Sequence, residues 1–423
     1  MKKATEVFTP GSFPKITYVE RSSVGLEKLL RDAVSTHGQI ISLSGPSKSG
    51  KTVLVEKVVG QDSLIPITGA NIHHPDELWE HVLDWMEAPS TVSKTGTISG
   101  GVKAEAGAQG TVKVPLVASG QVSVSGAVEG SISREKASTF RRRGMAQVID
   151  EIGNSNFVLL LDDFHYMSRD VQVEVSKILK EAVRLNVKIC TASVRHRGDD
   201  VVRANPELRG RVKAIDLDYW KRKELAQIAE LGFSALGVKI SQKSVDALTT
   251  EAAGSPQLMQ LMCLTTCFIF DIREECKSPV TIDIPADRLA QILEQTSANT
   301  DFRSLVDVLD AGPRMRGTER RMYKFNDGTE GDVYRCILKA LAAEPPRLSF
   351  KLQELMDRVA KVCTSESPVG SSVVGTCFHM TRLAQEKFPS ERAIDWDEQK
   401  QIFDIPDPYL LFYLRWSGRL REE

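Results

Sequence analysis

The stretch Gly45-Pro46-Ser47-Lys48-Ser49-Gly50-Lys51-Thr52 reads G-x-x-x-x-G-K-T, and it constrains the fold more than any other part of the chain. Glycines let backbone N–H groups turn inward around a phosphate, a lysine reaches the outer phosphate oxygens, and a hydroxyl completes a Mg²⁺ shell. Context separates such a motif from a glycine-rich turn. Ahead of it, residues 39–44 form a short β-branched run with the character of a buried strand. Behind it, residues 53–59 read as a helix whose N-terminus would aim its partial positive charge at the phosphates. Strand, loop and helix in this order predict that residues 45–52 cradle a nucleotide, with Lys51 also acting in catalysis and Thr52 also ligating the metal.

With 423 residues the chain is long enough for two or three domains. Lysine plus arginine (55) nearly balances aspartate plus glutamate (56), so any basic surface for nucleic acid has to be local. The cysteines (7) are scattered, without C-x-x-C or zinc spacing, and read as reduced core thiols. Residues 1–13 lack the apolar stretch of a signal peptide, and the apolar run 258–270 is too short to span a bilayer and contains Gln260. The expectation is a soluble, cytoplasmic protein.

Along the chain, residues 8–38 give an entry loop and a first helix. A second strand near 64–67 and an amphipathic helix over 75–86 continue a βαβα order. The next apolar run, 156–161, closes on Asp162-Asp163 at the end of the strand where parallel sheets place ligands. Asp162 is the candidate Mg²⁺ ligand, and Asp163 stands where a general base or water-orienting carboxylate would sit. After a helix over 171–185, a strand over 187–193 offers Thr191 and Ser193 as sensors of the terminal phosphate. Arg195 is the leading candidate for an arginine finger, with Arg197, Arg203, Arg209 and Arg211 as competitors. A strand over 212–217 completes the first domain, residues 1–218.

Residues 219–300 read as an all-helical lid, in which Gly254-Ser255-Pro256 precedes the helix 256–270. Residues 301–331 read as a polar linker bearing Arg314, Arg316, Arg320 and Arg321. Three helices and a hairpin over 332–423 predict a winged-helix domain, with an aromatic tail over 408–416 packed on it. Its candidate recognition helix carries Arg382, Lys387 and Glu386, so protein packing competes with DNA binding.

The segment 90–134 differs in kind. From Ile98 to Ile132 every even position is apolar or glycine, a period-two pattern that a helix cannot use. One or two Gly-rich β-hairpins inserted in the first domain follow. Three readings stay open: a hairpin folded over its own domain, a self-association element, or a membrane contact through residues 97–133.

The phosphate loop, Leu160-Leu161-Asp162-Asp163, the strand end at 191–197, Gly254-Ser255-Pro256 and the terminal winged helix together resemble a STAND-type P-loop ATPase of the AAA-related branch. The layout is similar to archaeal-type and origin-recognition-type ATPases. The resemblance implies an α/β fold in which a P-loop parallel sheet carries a helical lid and a winged helix. It implies ATP and Mg²⁺ as cofactors, hydrolysis to ADP and phosphate, and Pro256 against the adenine. It further implies a switch that forms a homo-oligomer when ATP-bound and signals to a protein partner, as in bacterial defence. The alternative is a DNA-associated ATPase of loader type.

Overall fold

The computed structural model describes residues 1–21, 24–88, 91–93, 139–141, 143–194, 205–313, 320–389 and 393–421. A short helix α1 (Ala4–Val7) and α2 (Leu26–Ser35) precede β1 (Ile40–Ser44), whose five residues are all buried. Then follow α3 (Lys51–Val59), β2 (Leu64–Thr68), α4 (Glu77–Trp85), and two three-residue strands, β3 (Thr91–Ser93) and β4 (Thr139–Arg141), that pair antiparallel. The alternating segment predicted to form hairpins lies outside the described residues. Helix α5 (Met145–Ile152), β5 (Val158–Asp162), α6 (Arg169–Arg184), β6 (Lys188–Ser193) and β7 (Val212–Asp216) complete this part.

Five of these strands form a parallel sheet in the order β2-β5-β6-β1-β7. Successive strand residues point to opposite faces, so a sheet covered on both sides must be apolar at nearly every position. Ile40, Ile65, Leu159, Leu161 and Ile189 accordingly enter one core with α4, α5 and α6, whereas Ile41, Leu43, Val158, Leu160 and Cys190 enter another with α2 and α3. Because β6 lies between β1 and β5, the phosphate loop and the acidic strand end are held one strand apart at the same edge.

Beyond β7 come α7 (Arg222–Ala235), β8 (Val238–Ile240), α8 (Gln242–Glu251), α9 (Pro256–Ile269), β9 (Val280–Ile282) and α10 (Ala286–Ala298). This segment is not all helical: β8 and β9 form a two-stranded parallel pair, too short for the period-two signal to register in sequence. Residues 4–8 return to its core, where the Phe8 ring lies 5.2 Å from Phe233. A Cβ on Gly232 would meet Phe8 Cε1 at 2.2 Å, so this approach requires glycine.

The described residues of the stretch expected to be a polar linker, 301–313 and 320–331, carry secondary structure. They contain α11 (Arg303–Ala311) and the paired strands β10 (Tyr323–Lys324) and β11 (Glu330–Gly331). Leu305, Val306 and Leu309, at helical spacing, enter the C-terminal core; the charges between them hid that stripe. Arg314 and Arg316 lie outside the described residues. Next are α12 (Val333–Ala342), β12 (Ser349–Lys351), α13 (Leu352–Val362), α14 (Gly370–Lys387), β13 (Asp395–Asp397) and β14 (Ile402–Asp404), with a sheet in the order β12-β14-β13. Helix, strand, two helices and two strands is the element order of a winged helix. The aromatic tail is a helix, α15 (Pro408–Trp416), started by Asp407 as N-cap and proline in the first turn. It bridges two cores: Tyr409 and Phe412 join the α7–α10 core, and Leu410, Leu411 and Leu414 join the C-terminal one.

All seven cysteines are free. Burial pushes the Cys267 and Cys377 thiols up to about 12, so they remain unreactive core groups. No helix among the described residues is long and apolar enough to cross a membrane. Since Leu309 is fully buried in the C-terminal core, Leu309→Ala should destabilise that region by about 2–5 kcal/mol, read as a lower urea midpoint. A linker residue would leave the midpoint unchanged.

Candidate functional site

The phosphate loop joins β1 to α3 through two residues with left-handed backbone, Lys48 (φ 58°) and Gly50 (φ 92°). Glycine takes that conformation freely, whereas a lysine is held there only by its surroundings. Gly45 answers a different need, because a Cβ there would lie 2.8 Å from both Leu217 Cβ and the Leu217 carbonyl oxygen. Leu217 N–H donates to the Ser44 carbonyl (2.7 Å), and the Ser44 hydroxyl bonds Asp216 on β7, so the loop's first residue is pinned to the neighbouring strand.

Thr52 Oγ1 donates to Asp162 Oδ2 at 2.6 Å, and the Asp163 N–H donates to Asp162 Oδ1 at 2.9 Å. The sequence pairing of loop and acidic strand is therefore a direct contact across 110 residues. Lys51 Nζ donates to the carbonyls of Gly45 (3.1 Å) and Pro46 (2.8 Å), curling over the loop. Burial lowers the Lys51 pKa, opposed by the charges of Asp162 and Asp163. Asp163 is pushed up to about 6 by burial and by the charge of Asp162, opposed by Lys51.

These groups face a cavity of about 390 Å³, whose wall includes residues 47–54, Asp162 and Asp163. Phe13, Val19, Ile228 and Pro256 are among the apolar side chains that complete the wall. Pro256 opens α9 behind the N-cap Ser255, whose Oγ accepts from the Leu258 N–H at 3.2 Å, so helix capping sets the proline against the cavity. Of the two sensor candidates, Thr191 Oγ1 is directed at the Ile41 carbonyl (3.4 Å), whereas Ser193 pairs in register with Ser44, next to the loop. Ser193 does not line the cavity. Arg195, Arg197 and Arg203 lie outside the described residues. Arg209 and Arg211 are exposed and do not line the cavity.

Three site residues were missed or not given a role in sequence. Trp220 Nε1–H donates to the Ser49 carbonyl at 2.9 Å. Arg21, nearly buried, donates to the Asp218 carbonyl (3.0 Å) and pairs with Glu224 (3.3 Å), with its guanidinium 5.3 Å from the Trp220 ring centre. Most distant in sequence is Asp407, whose Oδ1 and Oδ2 accept from Lys48 Nζ at 3.0 and 2.8 Å. Lys48 Nζ also sits 4.1 Å from the Tyr409 ring centre, over its face. Asp407 Oδ1 accepts from the Tyr409 N–H too (2.9 Å), so one carboxylate caps α15 and grips the phosphate loop. The D-P helix start was legible at 407–408; its partner 359 residues away was not.

No family model matches the chain, and no curated protein matches it. Among solved structures it is similar to a Walker-type ATPase of Pyrococcus abyssi, at 12% identity and TM-score 0.50, over 94% of this chain and 96% of that one. It is also similar to the ORC2 protein of Aeropyrum pernix (13% identity, TM-score 0.49, 98% and 97% covered) and to Cdc6p of Pyrobaculum aerophilum (11%, 0.43, 97% and 97%). The chain has a P-loop ATPase fold. The likeness to the Pyrococcus protein runs over nearly the whole chain, beyond the parallel sheet.

A carboxylate whose folded pKa lies above its ordinary value of 3.8 adds stability below that value and loses it as pH rises through about 6. Without nucleotide, wild type should therefore lose stability relative to Asp163→Asn between pH 4 and 7, measured by urea denaturation at each pH. A stability difference that does not change with pH would place Asp163 in an ordinary solvated setting.

Proposed function

We propose that the chain is an ATP-binding and ATP-hydrolysing switch whose phosphate loop communicates with the C-terminal part. The observation that carries this reading is the double engagement of one loop. Lys51, Thr52, Asp162 and Asp163 converge on it from the sheet side, and Asp407 holds Lys48 from the other. In this reading residues 45–52 wrap the phosphates, and Pro256 lies against the base. Thr52 and Asp162 offer hard oxygen ligands of the kind Mg²⁺ takes together with phosphate oxygens, and Mg²⁺ would neutralise charge on the transferring group. Asp163 orients or deprotonates the attacking water, for which a pKa near 6 leaves it mainly ionised at neutral pH. Ser193, in register with Ser44 beside the loop, is the sensor candidate we favour, and Arg195 or a neighbouring arginine would complete the site from the same or another subunit.

Phosphate oxygens and Asp407 compete for the Lys48 ammonium. Binding of ATP then loosens α15, which carries the C-terminal part, and exposes it to a second copy or a protein partner. The domain divisions we propose, near 218 and 300, separate the sheet with its two cores from the α7–α10 core and that from the C-terminal core. We place such a switch in bacterial defence on the sequence resemblance to STAND-type ATPases. The rival DNA-associated reading draws on the winged-helix order, but Arg382 Nε is paired with Glu386 (2.6 Å) on the candidate recognition helix, which weakens it.

Lys51→Ala should reduce ATP affinity by at least about tenfold, and Asp163→Asn should retain binding while lowering turnover by about 100-fold or more, followed by phosphate release. Asp407→Ala should tighten ATP binding a few-fold by removing the competitor for Lys48, measured by calorimetric titration. Wild-type protein that neither binds nor hydrolyses ATP would end this reading. ATP turnover that rises on adding duplex DNA in low salt would favour the rival.

A further inference from the structure

The peptide between Ser49 and Gly50 belongs to the phosphate loop, yet the bond that orients it comes from outside the loop. Trp220 Nε1–H donates to the Ser49 carbonyl at 2.9 Å. On either side the chain is fixed locally: the Ser49 N–H donates to the Pro46 carbonyl (3.3 Å), and the Gly50 carbonyl accepts from the Leu54 N–H (2.9 Å). The peptide is trans and planar, so the Gly50 N–H points opposite to the carbonyl that Trp220 holds. Gly50 has φ 92°, and glycine takes positive and negative φ with nearly equal ease, so sterics alone would let this peptide turn over. The N–H groups of Gly50, Lys51, Thr52 and Val53 have no acceptor among the described residues, and these residues line the cavity. Backbone donors in such a run suit an anion, and a bound phosphate gains the Gly50 donor in one orientation of the peptide only.

Trp220 itself is seated on the helical unit that follows the sheet. It packs against the α7–α10 core, its backbone N–H donates to the Gly254 carbonyl at 3.1 Å, and the Arg21 guanidinium lies 5.3 Å from its ring centre. Gly254 has φ 87°, and a Cβ there would lie 2.9 Å from Tyr219 Cβ. Glycine is therefore what lets residues 219–220 settle against the turn between α8 and α9. Helix capping accounts for Ser255 and Pro256 of the Gly254-Ser255-Pro256 stretch; the seat of Trp220 accounts for Gly254.

We propose that Trp220 is a positioning residue of the phosphate loop: its indole holds the Ser49 carbonyl and thereby presents the Gly50 N–H to bound phosphate. The inference rests on the ATP reading above and adds that the segment opening the helical unit completes the loop. Phenylalanine at this position keeps a ring beside Arg21 and loses the donor, which frees the peptide to turn. The affinity lost is then bounded by the worth of one indole–carbonyl bond.

The test is calorimetric titration of the full chain, wild type and Trp220→Phe, with the Mg²⁺ complexes of ATP and of tripolyphosphate, which has the phosphates without ribose or base. Trp220→Phe should weaken both ligands by the same factor, about threefold to tenfold, the range that one neutral hydrogen bond supplies. Residue-resolved hydrogen exchange with Mg²⁺–tripolyphosphate bound separates positioning from a general loosening. The variant should lose protection at the Gly50 N–H and keep it at the Thr52 N–H. Unchanged affinity for both ligands overturns the inference and leaves the ATP reading intact. So does a loss confined to ATP, which would make Trp220 a wall for the base or ribose, and so does wild type that binds ATP but not tripolyphosphate. Protection lost at Thr52 as well as Gly50 makes the effect structural and also overturns it. Wild type that binds neither ligand overturns the ATP reading, and the inference with it. If Trp220→Phe does not fold, exchange of the Trp220 indole N–H in wild type replaces it: slower exchange with Mg²⁺–tripolyphosphate bound supports the inference, and unchanged or faster exchange contradicts it.

Discussion

A lysine ammonium held between a carboxylate and an aromatic face joins the two ends of this chain. Lys48 belongs to the phosphate loop, Asp407 and Tyr409 to the start of the last long helix, and 359 residues separate the ion pair. The pair is partly solvated, with side chains 32% and 24% exposed, so its net contribution is small, about 1 kcal/mol or less. The far end of the same helix is anchored differently. Arg415 makes two bonds to Glu251 (3.1 and 2.9 Å), Trp416 Nε1–H donates to Glu251 Oε2 (2.7 Å), and the pair is 5% and 8% exposed. Breaking a buried pair by removing one partner costs several kcal/mol. Helix α15 is thus fastened weakly at the phosphate loop and strongly at α8 and α12, where Arg415 also donates to the Ala342 carbonyl (2.6 Å). A ligand that withdraws the weak fastening leaves the strong one as a pivot.

The geometry on the sheet side has the opposite character. Ser44, Asp162 and Ser193 are set by a parallel register with cores on both faces, which gives them little freedom. The Thr52–Asp162 bond, the Gly45–Leu217 approach and the Trp220–Ser49 bond each fix one point of the loop from a different element. Preorganisation of this kind suits a site that must recognise a highly charged group without rearranging itself.

What the sequence made legible follows the range of the forces involved. The phosphate loop, the acidic strand end and the capped proline helix are local patterns, each set by spacing within a few residues, and all of them meet at one cavity. The helix over 303–311 was hidden because its stripe, Leu305, Val306 and Leu309, is diluted by charged neighbours and identified only by the core it enters. The strands at 238–240 and 280–282 are too short for periodicity to mark. Lys48–Asp407, Arg21–Glu224 and Tyr18–Glu27 were illegible for a different reason: a charged or polar side chain in one sequence does not name its partner. Buried polar atoms that lack a partner are visible only once the cavity around them is known.

In the proposed switch the phosphate loop cannot hold nucleotide and Asp407 equally well. Hydrogen exchange of residues 407–416, with and without a non-hydrolysable ATP analogue and Mg²⁺, tests it most directly. Release of Lys48 predicts slower exchange across residues 45–54 on binding and faster exchange in the first turn of α15, where the Tyr409 N–H rests on Asp407. Protection of residues 45–54 with no change, or a slowing, at 407–410 would contradict it.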